Sequence, residues 1–262
     1  MRIQSKIPVT VRGKVVGGPV PLICLPLMAG DLSALVTQAR ELIALAPDLI
    51  EWRIDGFDGV EEISAVLKAL STLREIIGEI PLIFTCRIIS EGGFKKISRD
   101  VRLEVSLASV ASGNVDILDT ELSNDEEMIS KLRAACRKNG AKLILSFHDF
   151  QKTPGEAVIL DKLFSAQERG ADIAKLAVMP KNYRDVLILL GATLTARTGK
   201  VDIPIITLSM GEIGAITRIA GGFFGADITF AAGKTITAPG QIPMADLKTA
   251  WGVIPGFQSG KF

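Results

Sequence analysis

One lysine, Lys175, sits in Ala171-Asp172-Ile173-Ala174-Lys175-Leu176-Ala177-Val178, a run that otherwise has the character of a buried strand. A primary amine in such surroundings can condense with a ketone to an imine, which acidifies the neighbouring carbon. To attack, the amine must be uncharged. Making half of it neutral at pH 7 from an ordinary pKa of about 10.4 takes roughly 4.6 kcal/mol. Burial among Ile173, Leu176 and Ala177, with cations nearby, is expected to supply that. The sole histidine of the chain, His148, ends the run Ser146-Phe147-His148-Asp149. Its intrinsic pKa suits proton transfer near neutrality, so beside an imine it could remove the acidified proton and then protonate a leaving group. Glu91, in the loop Ile88-Ile89-Ser90-Glu91-Gly92-Gly93, and Asp119 are candidate carboxylates to orient it.

Further polar residues close other strand-like stretches: Glu51-Trp52-Arg53-Ile54-Asp55, Thr85-Cys86-Arg87 and Asp119-Thr120-Glu121. Side chains along a strand alternate faces with a period of two. Ile50, Trp52 and Ile54 therefore share one face, and Glu51, Arg53 and Asp55 the other. The same alternation groups Thr85 with Arg87, Asp119 with Glu121, Ser146 with His148, and Thr207 with Ser209; Lys175 shares its face with Ile173 and Ala177. If the apolar faces pack on outer helices, the polar sets look inward and converge on Lys175. These groups could be ion pairs that hold the fold together, but their place at strand C-terminal ends favours a substrate site. With no cysteine among them and no second histidine, they do not compose a tight transition-metal site.

The elements that would position them recur eight times from Pro21 onward. Short apolar runs centred on Ile23, Ile50, Leu82, Ile117, Leu143, Ile173, Ile205 and Ile228 alternate with amphipathic segments. Helices are predicted over 32–46 after an Asp31 N-cap, 61–77, and 99–111 after Ser98. Another begins after Asn124 or Asp125 and ends near Gly140. Thr153-Pro154 opens one closed by Gly170, and others cover 182–197, 211–220 and 244–252. Eight such units close naturally into a (β/α)₈ barrel; a doubly wound open sheet is the alternative, but no Gly-rich nucleotide fingerprint follows the first strand. Residues 7–16 read as two short strands about an Arg12-Gly13 turn, a hairpin expected to close the barrel bottom. The expectation is one domain over 1–262, with the hairpin extension in 1–18.

Composition narrows the partners. Thirty Lys plus Arg against 29 Asp plus Glu leave no charge footprint for nucleic acid or an anionic membrane, so a small molecule is the expected partner. Three widely spaced cysteines suggest neither a disulfide framework nor a zinc site and point to a reducing cytoplasm. No apolar run reaches membrane-span length.

Two segments remain. In Ser209-Met210-Gly211-Glu212-Ile213-Gly214-Ala215-Ile216-Thr217-Arg218, glycines sit at a strand-to-helix junction where free backbone N–H groups favour anions, and Arg218 could reach a carboxylate with its forked guanidinium. Residues 233–241 carry Lys234, Thr237, Pro239, Gly240 and Gln241, a loop suited to act as a lid.

Several motifs, in order, resemble the type I 3-dehydroquinate dehydratases of the shikimate pathway, Schiff-base (β/α)₈ barrels: Glu51-Trp52-Arg53-Ile54-Asp55, Arg87 with Glu91-Gly92-Gly93, Ser146-Phe147-His148-Asp149, Lys175, Ser209-Met210-Gly211 with Arg218, and Ala238-Pro239-Gly240-Gln241. The likeness covers the chain from Pro21. It implies that Lys175 forms an imine with the C3 ketone of 3-dehydroquinate, and that His148 moves the C2 proton to the departing C1 hydroxyl with Glu91 positioning it. It also implies that Arg218 holds the substrate carboxylate, while Glu51, Arg53, Arg87 and Gln241 contact hydroxyls or order the pocket, with Asp119 in support. A homodimer without metal or organic cofactor is implied. Thr237 stands where the family commonly has a lid serine, and Pro26 near a first-strand position that often carries a hydroxyl. The competing readings are a class I aldolase acting on a sugar phosphate, which needs a phosphate cradle after the seventh or eighth strand, and a non-catalytic ligand-binding barrel.

Overall fold

In the computed structural model, residues 2–234 and 238–254 are described. Near the N-terminus, β1 (Val9–Val11) and β2 (Lys14–Val16) pair antiparallel. Arg12 and Gly13 make the turn between them with positive φ. The predicted hairpin is therefore present, apart from the main sheet.

That sheet has eight parallel strands: β3 (Leu22–Leu27), β4 (Leu49–Arg53), β5 (Leu82–Thr85), β6 (Ile117–Glu121), β7 (Lys142–Asp149), β8 (Ile173–Val178), β9 (Ile205–Ser209) and β10 (Ile228–Phe230). Each predicted run centre lies in one of them. Neighbours in sequence pair in register, and β10 pairs back onto β3, so the sheet curls into a nearly closed (β/α)₈ barrel. The seam falls between β9 and β10. There Asp227 N–H donates to the Ile205 carbonyl at 2.8 Å, and the Asp227 carboxylate accepts from Ile205 N–H at 2.7 Å. This buried carboxylate also takes ion pairs from Arg2 and Arg197, which compensate its charge.

The helices are α1 (Leu32–Ile43), α2 (Ile63–Ile77), α3 (Arg99–Ala111), α4 (Glu126–Asn139), α5 (Glu156–Glu168), α6 (Tyr183–Thr198), α7 (Gly211–Gly214), α8 (Ile216–Ala220) and α9 (Met244–Val253). Asp31, Ser98 and Asp125 cap α1, α3 and α4 through side-chain oxygens that accept from Ala34, Val101 and Met128 N–H. These bonds satisfy donors that the first helical turn leaves without partners. Helix α1 stops three residues short of the predicted end, and the segment predicted over 211–220 is split into α7 and α8 at Ala215. Among the described residues no helix is long and apolar enough to cross a membrane.

The core has two layers. Ile50, Trp52, Phe84, Leu118, Leu143, Leu145, Ala174 and Leu176 pack outward against the helices. Leu49, Ile83, Ile117, Ile144, Ile173, Ile206 and Ile228 fill the interior, and Val9, Val11 and Val16 of the hairpin join the same cluster. Branched aliphatics thus close the barrel at the N-terminal ends of the strands. The C-terminal half holds the polar groups, beside Ala177, Leu208, Met210 and Phe230.

Candidate active site

Alternation along the strands carries the polar residues from that apolar floor into one pocket. It is lined by Glu51, Arg53, Arg87, Glu91, His148, Lys175, Arg218 and Gln241, with Phe150, Met210, Phe230 and Pro26 among the remaining walls. The empty space inside its mouth, open solvent included, is about 610 Å³.

Lys175 is 6 % exposed and pairs in register with Ser146 of β7 and Ile206 of β9. Its Nζ donates to Asp119 Oδ2 at 2.8 Å and Glu51 Oε1 at 3.0 Å, and lies 4.5 Å from the Phe230 ring centre. Burial works to lower its pKa, but Asp119 and Glu51 together more than offset it, and the ammonium is held above its ordinary value. This corrects the expectation of a lysine kept neutral by its surroundings. The sequence shows the apolar neighbours along the strand; the carboxylates come from across the barrel.

Arg87 organises those carboxylates. Nη2 donates to Asp119 Oδ1 at 2.8 Å, and Nη1 donates to Glu121 Oε1 at 2.8 Å and to Ser146 Oγ at 2.7 Å. Burial opposes its charge, yet Asp119 and Glu121 raise its pKa above the usual value. Asp119 also accepts from Ser146 Oγ at 2.6 Å. Despite its own burial, Arg87 and Lys175 hold Asp119 far below the usual carboxylate range. Its oxygens are therefore spent on Arg87, Ser146 and Lys175. The carboxylate at His148 is Glu91.

Glu91 ends a single 3₁₀ turn, Ile89–Glu91. Its Oε2 accepts from His148 N–H at 2.9 Å and lies 3.3 Å from His148 Nδ1; its Oε1 accepts from Ser123 Oγ at 3.0 Å. Burial pushes this carboxyl up to about 7, against Arg87 and the two hydrogen bonds. Burial, with Arg87 and Lys175 close by, moves the His148 imidazole well below its ordinary value, so it is a neutral base at pH 7. Phe150 stacks on it at 6.4 Å and occupies the space over Gly92, where a Cβ would come within 2.4 Å of the ring. Gly92 has a φ of +86° as well, so this position takes no side chain without strain.

Arg218, on α8, is 2 % exposed. It donates to the carbonyls of Gly240 (2.7 Å), Phe230 (2.9 Å) and Pro239 (3.2 Å), and no carboxylate pairs with it among the described residues. Burial alone lowers it to about 10. Arg53 forks onto Asp55 at 2.8 Å through each of two nitrogens and donates to the Gly92 carbonyl at 3.0 Å. Asp55 also accepts from the Arg87 and Phe94 backbone N–H groups, so it ties the loop carrying Glu91 to β4. Gln241 Oε1 accepts from Ala238 N–H at 3.2 Å. Of the segment 233–241, Lys234 reaches Glu41 on the surface at 2.7 Å; Thr237 lies outside the described residues.

One inward assignment is reversed. Thr207 and Ser209 point away from the pocket: Thr193 Oγ1 on α6 donates to Thr207 Oγ1 at 2.8 Å, and the neighbours facing the interior are Ile206, Leu208 and Met210. A hydroxyl can be satisfied by a helix as readily as by a pocket, so polarity alone does not orient a strand that carries no charge. Ser123 and Phe150 were not foreseen. Extending the alternation of β6 (119, 121, 123) and β7 (146, 148, 150) one step beyond the strand motifs would have found both.

The sequence model of a family described as Type I 3-dehydroquinase matches residues 23–256. The 3-dehydroquinate dehydratase of Albidiferax ferrireducens is 41% identical over 254 residues, 96% of each chain. Among solved structures, the 3-dehydroquinate dehydratase of Geobacillus kaustophilus superposes with a TM-score of 0.94 at 40% identity, covering 97% of this chain and 98% of that one. The type I 3-dehydroquinate dehydratase of Clostridium difficile, solved with covalent modified comenic acid, gives 0.90 at 41% identity over 93% and 95%.

Proposed function

The chain belongs to the type I 3-dehydroquinase family, hydro-lyases, and from that membership we propose that it eliminates water from 3-dehydroquinate through an imine on Lys175, giving 3-dehydroshikimate. The observation that carries this reading is Arg218. A buried guanidinium whose partners among the described residues are all carbonyls is short of an anion, and it lines the same pocket as Lys175 and the Glu91–His148 pair. A substrate bearing both a carboxylate and a ketone meets both needs.

In the proposed reaction, the carboxylate of 3-dehydroquinate docks on Arg218 and its C3 ketone condenses with Lys175. The protonated imine draws electrons from C2. His148, neutral and seated on Glu91, takes the C2 proton and delivers it to the C1 hydroxyl as that group departs. Hydrolysis of the imine frees the product and the lysine. Glu51, Arg53, Arg87 and Gln241 contact the substrate hydroxyls or order the pocket, and Asp119 holds Arg87 and Lys175 in place. The C. difficile relative, solved with covalent modified comenic acid, is consistent with a nucleophile in such a pocket. A cytoplasmic homodimer is proposed for this chain from its family membership.

A sugar-phosphate aldolase is less well supported, because Lys234, the cation after the eighth strand, is exposed and engaged with Glu41. The deciding experiment is borohydride reduction in the presence of 3-dehydroquinate followed by peptide mass mapping. A stable adduct on Lys175 is expected. An unmodified Lys175, or an adduct on Lys142 or Lys234 in its place, would overturn the proposal.

A further inference from the structure

An ammonium has no lone pair, so imine formation on Lys175, the reading on which this inference rests, needs a proton acceptor within reach of Nζ. Two carboxylates touch it, and they are not equivalent. Asp119 is committed on both oxygens: Oδ1 accepts from Arg87 and Ser146, and Oδ2 from Lys175. Protonating it would strip a counter-charge from Arg87, which is 2 % exposed. Glu51 has no guanidinium partner among the described residues. Thr85 Oγ1 and Lys175 Nζ share its Oε1, each at 3.0 Å, and Oε2 takes no hydrogen bond from the described residues. The residue lines the pocket at 4 % exposure. Moving one proton from Nζ to Glu51 turns an ion pair into a neutral pair without changing the charge of the chamber. Exclusion of water by a bound substrate penalises both charged forms and so favours that transfer.

We propose that Glu51 is a catalytic residue, the base that takes a proton from Lys175 Nζ and returns it to the departing oxygen as the imine forms. One N–H bond breaks and one O–H bond forms on Glu51. The freed lone pair makes the C–N bond while the ketone π pair moves to oxygen, and a proton passes from the new ammonium to that oxygen. The Glu51 proton then converts the hydroxyl to leaving water, and the nitrogen lone pair completes the protonated imine. Ketone and ammonium enter, iminium and water leave, and Glu51 ends as a carboxylate.

The test is rapid borohydride trapping of the full chain with 3-dehydroquinate, comparing wild type with Glu51→Gln across pH. If Glu51 served only to anchor the ammonium, removing its charge would make Lys175 easier to deprotonate, and trapping at pH 7 would be as fast or faster. A base role instead slows trapping by about 10²- to 10⁴-fold, with the rate climbing about tenfold per pH unit as solvent base takes over. Trapping at the wild-type rate or above overturns the proposal; absence of the Lys175 adduct in wild type refutes the imine reading instead. Should Glu51→Gln fail to fold by circular dichroism, Glu51→Asp serves. Its carboxylate, set back by a methylene, should trap more slowly but with the wild-type pH profile, and a profile rising tenfold per unit would overturn the assignment.

Discussion

Replacing Glu91 by Gln should change how stability depends on pH, and the size of the change follows from the site. Glu91 is 7 % exposed and its carboxyl is raised from an ordinary 4.5 to about 7, chiefly by burial. A carboxyl raised in this way binds its proton more tightly in the folded than in the unfolded chain. It therefore contributes stability that is fully present below 4.5 and is lost as pH rises through about 7. The gap corresponds to roughly 3 kcal/mol, of which about 2 kcal/mol is lost between pH 5.5 and 8. Glutamine is neutral throughout and has no such loss. Burial holds the His148 imidazole well below 6.5, and its titration in the unfolded chain is common to both proteins, so that part cancels in the comparison. Urea unfolding at pH 5.5 and at pH 8 measures the difference. With a slope of about 3 kcal/mol/M, the wild-type midpoint should fall by roughly 0.7 M relative to Glu91→Gln as pH rises. Midpoints that move in parallel would refute the claim that Glu91 is the group whose ionisation burial opposes.

Two further substitutions probe separate parts of the barrel. Arg218→Met removes the cation assigned to the substrate carboxylate and should lower kcat/KM for 3-dehydroquinate by about 10²- to 10³-fold, mostly through KM; an unchanged kcat/KM would sink that assignment. Arg197→Met leaves Asp227 at the seam with Arg2 as its remaining ion-pair partner, and should destabilise the fold by about 3 kcal/mol or more in urea with kcat unaffected. A loss below about 1 kcal/mol would show that Arg2 suffices.

Period-two alternation explains how much of the site was legible beforehand. A charged residue on an otherwise apolar strand admits one orientation, so Glu51, Arg53, Asp119, His148 and Lys175 could be placed on a shared face before any neighbour was known. Where a strand bore only hydroxyls the same rule failed: Thr207 found its partner in Thr193 on α6. The Arg2 and Arg197 ion pairs at Asp227 left no signal, because no local pattern links residues 225 or 30 positions apart.

The protonation of Lys175 shows the boundary most clearly. Its burial could be read from Ile173, Leu176 and Ala177, side chains bound to the same short strand by covalent geometry. Its charge could not, because the groups that set it, Asp119 and Glu51, lie 56 and 124 residues away in the chain and reach Nζ only when the barrel closes. Strand direction and facing follow from spacing along the chain. The pairing of ammonium with carboxylate depends on distance through space, which falls to 2.8 and 3.0 Å only in the folded barrel.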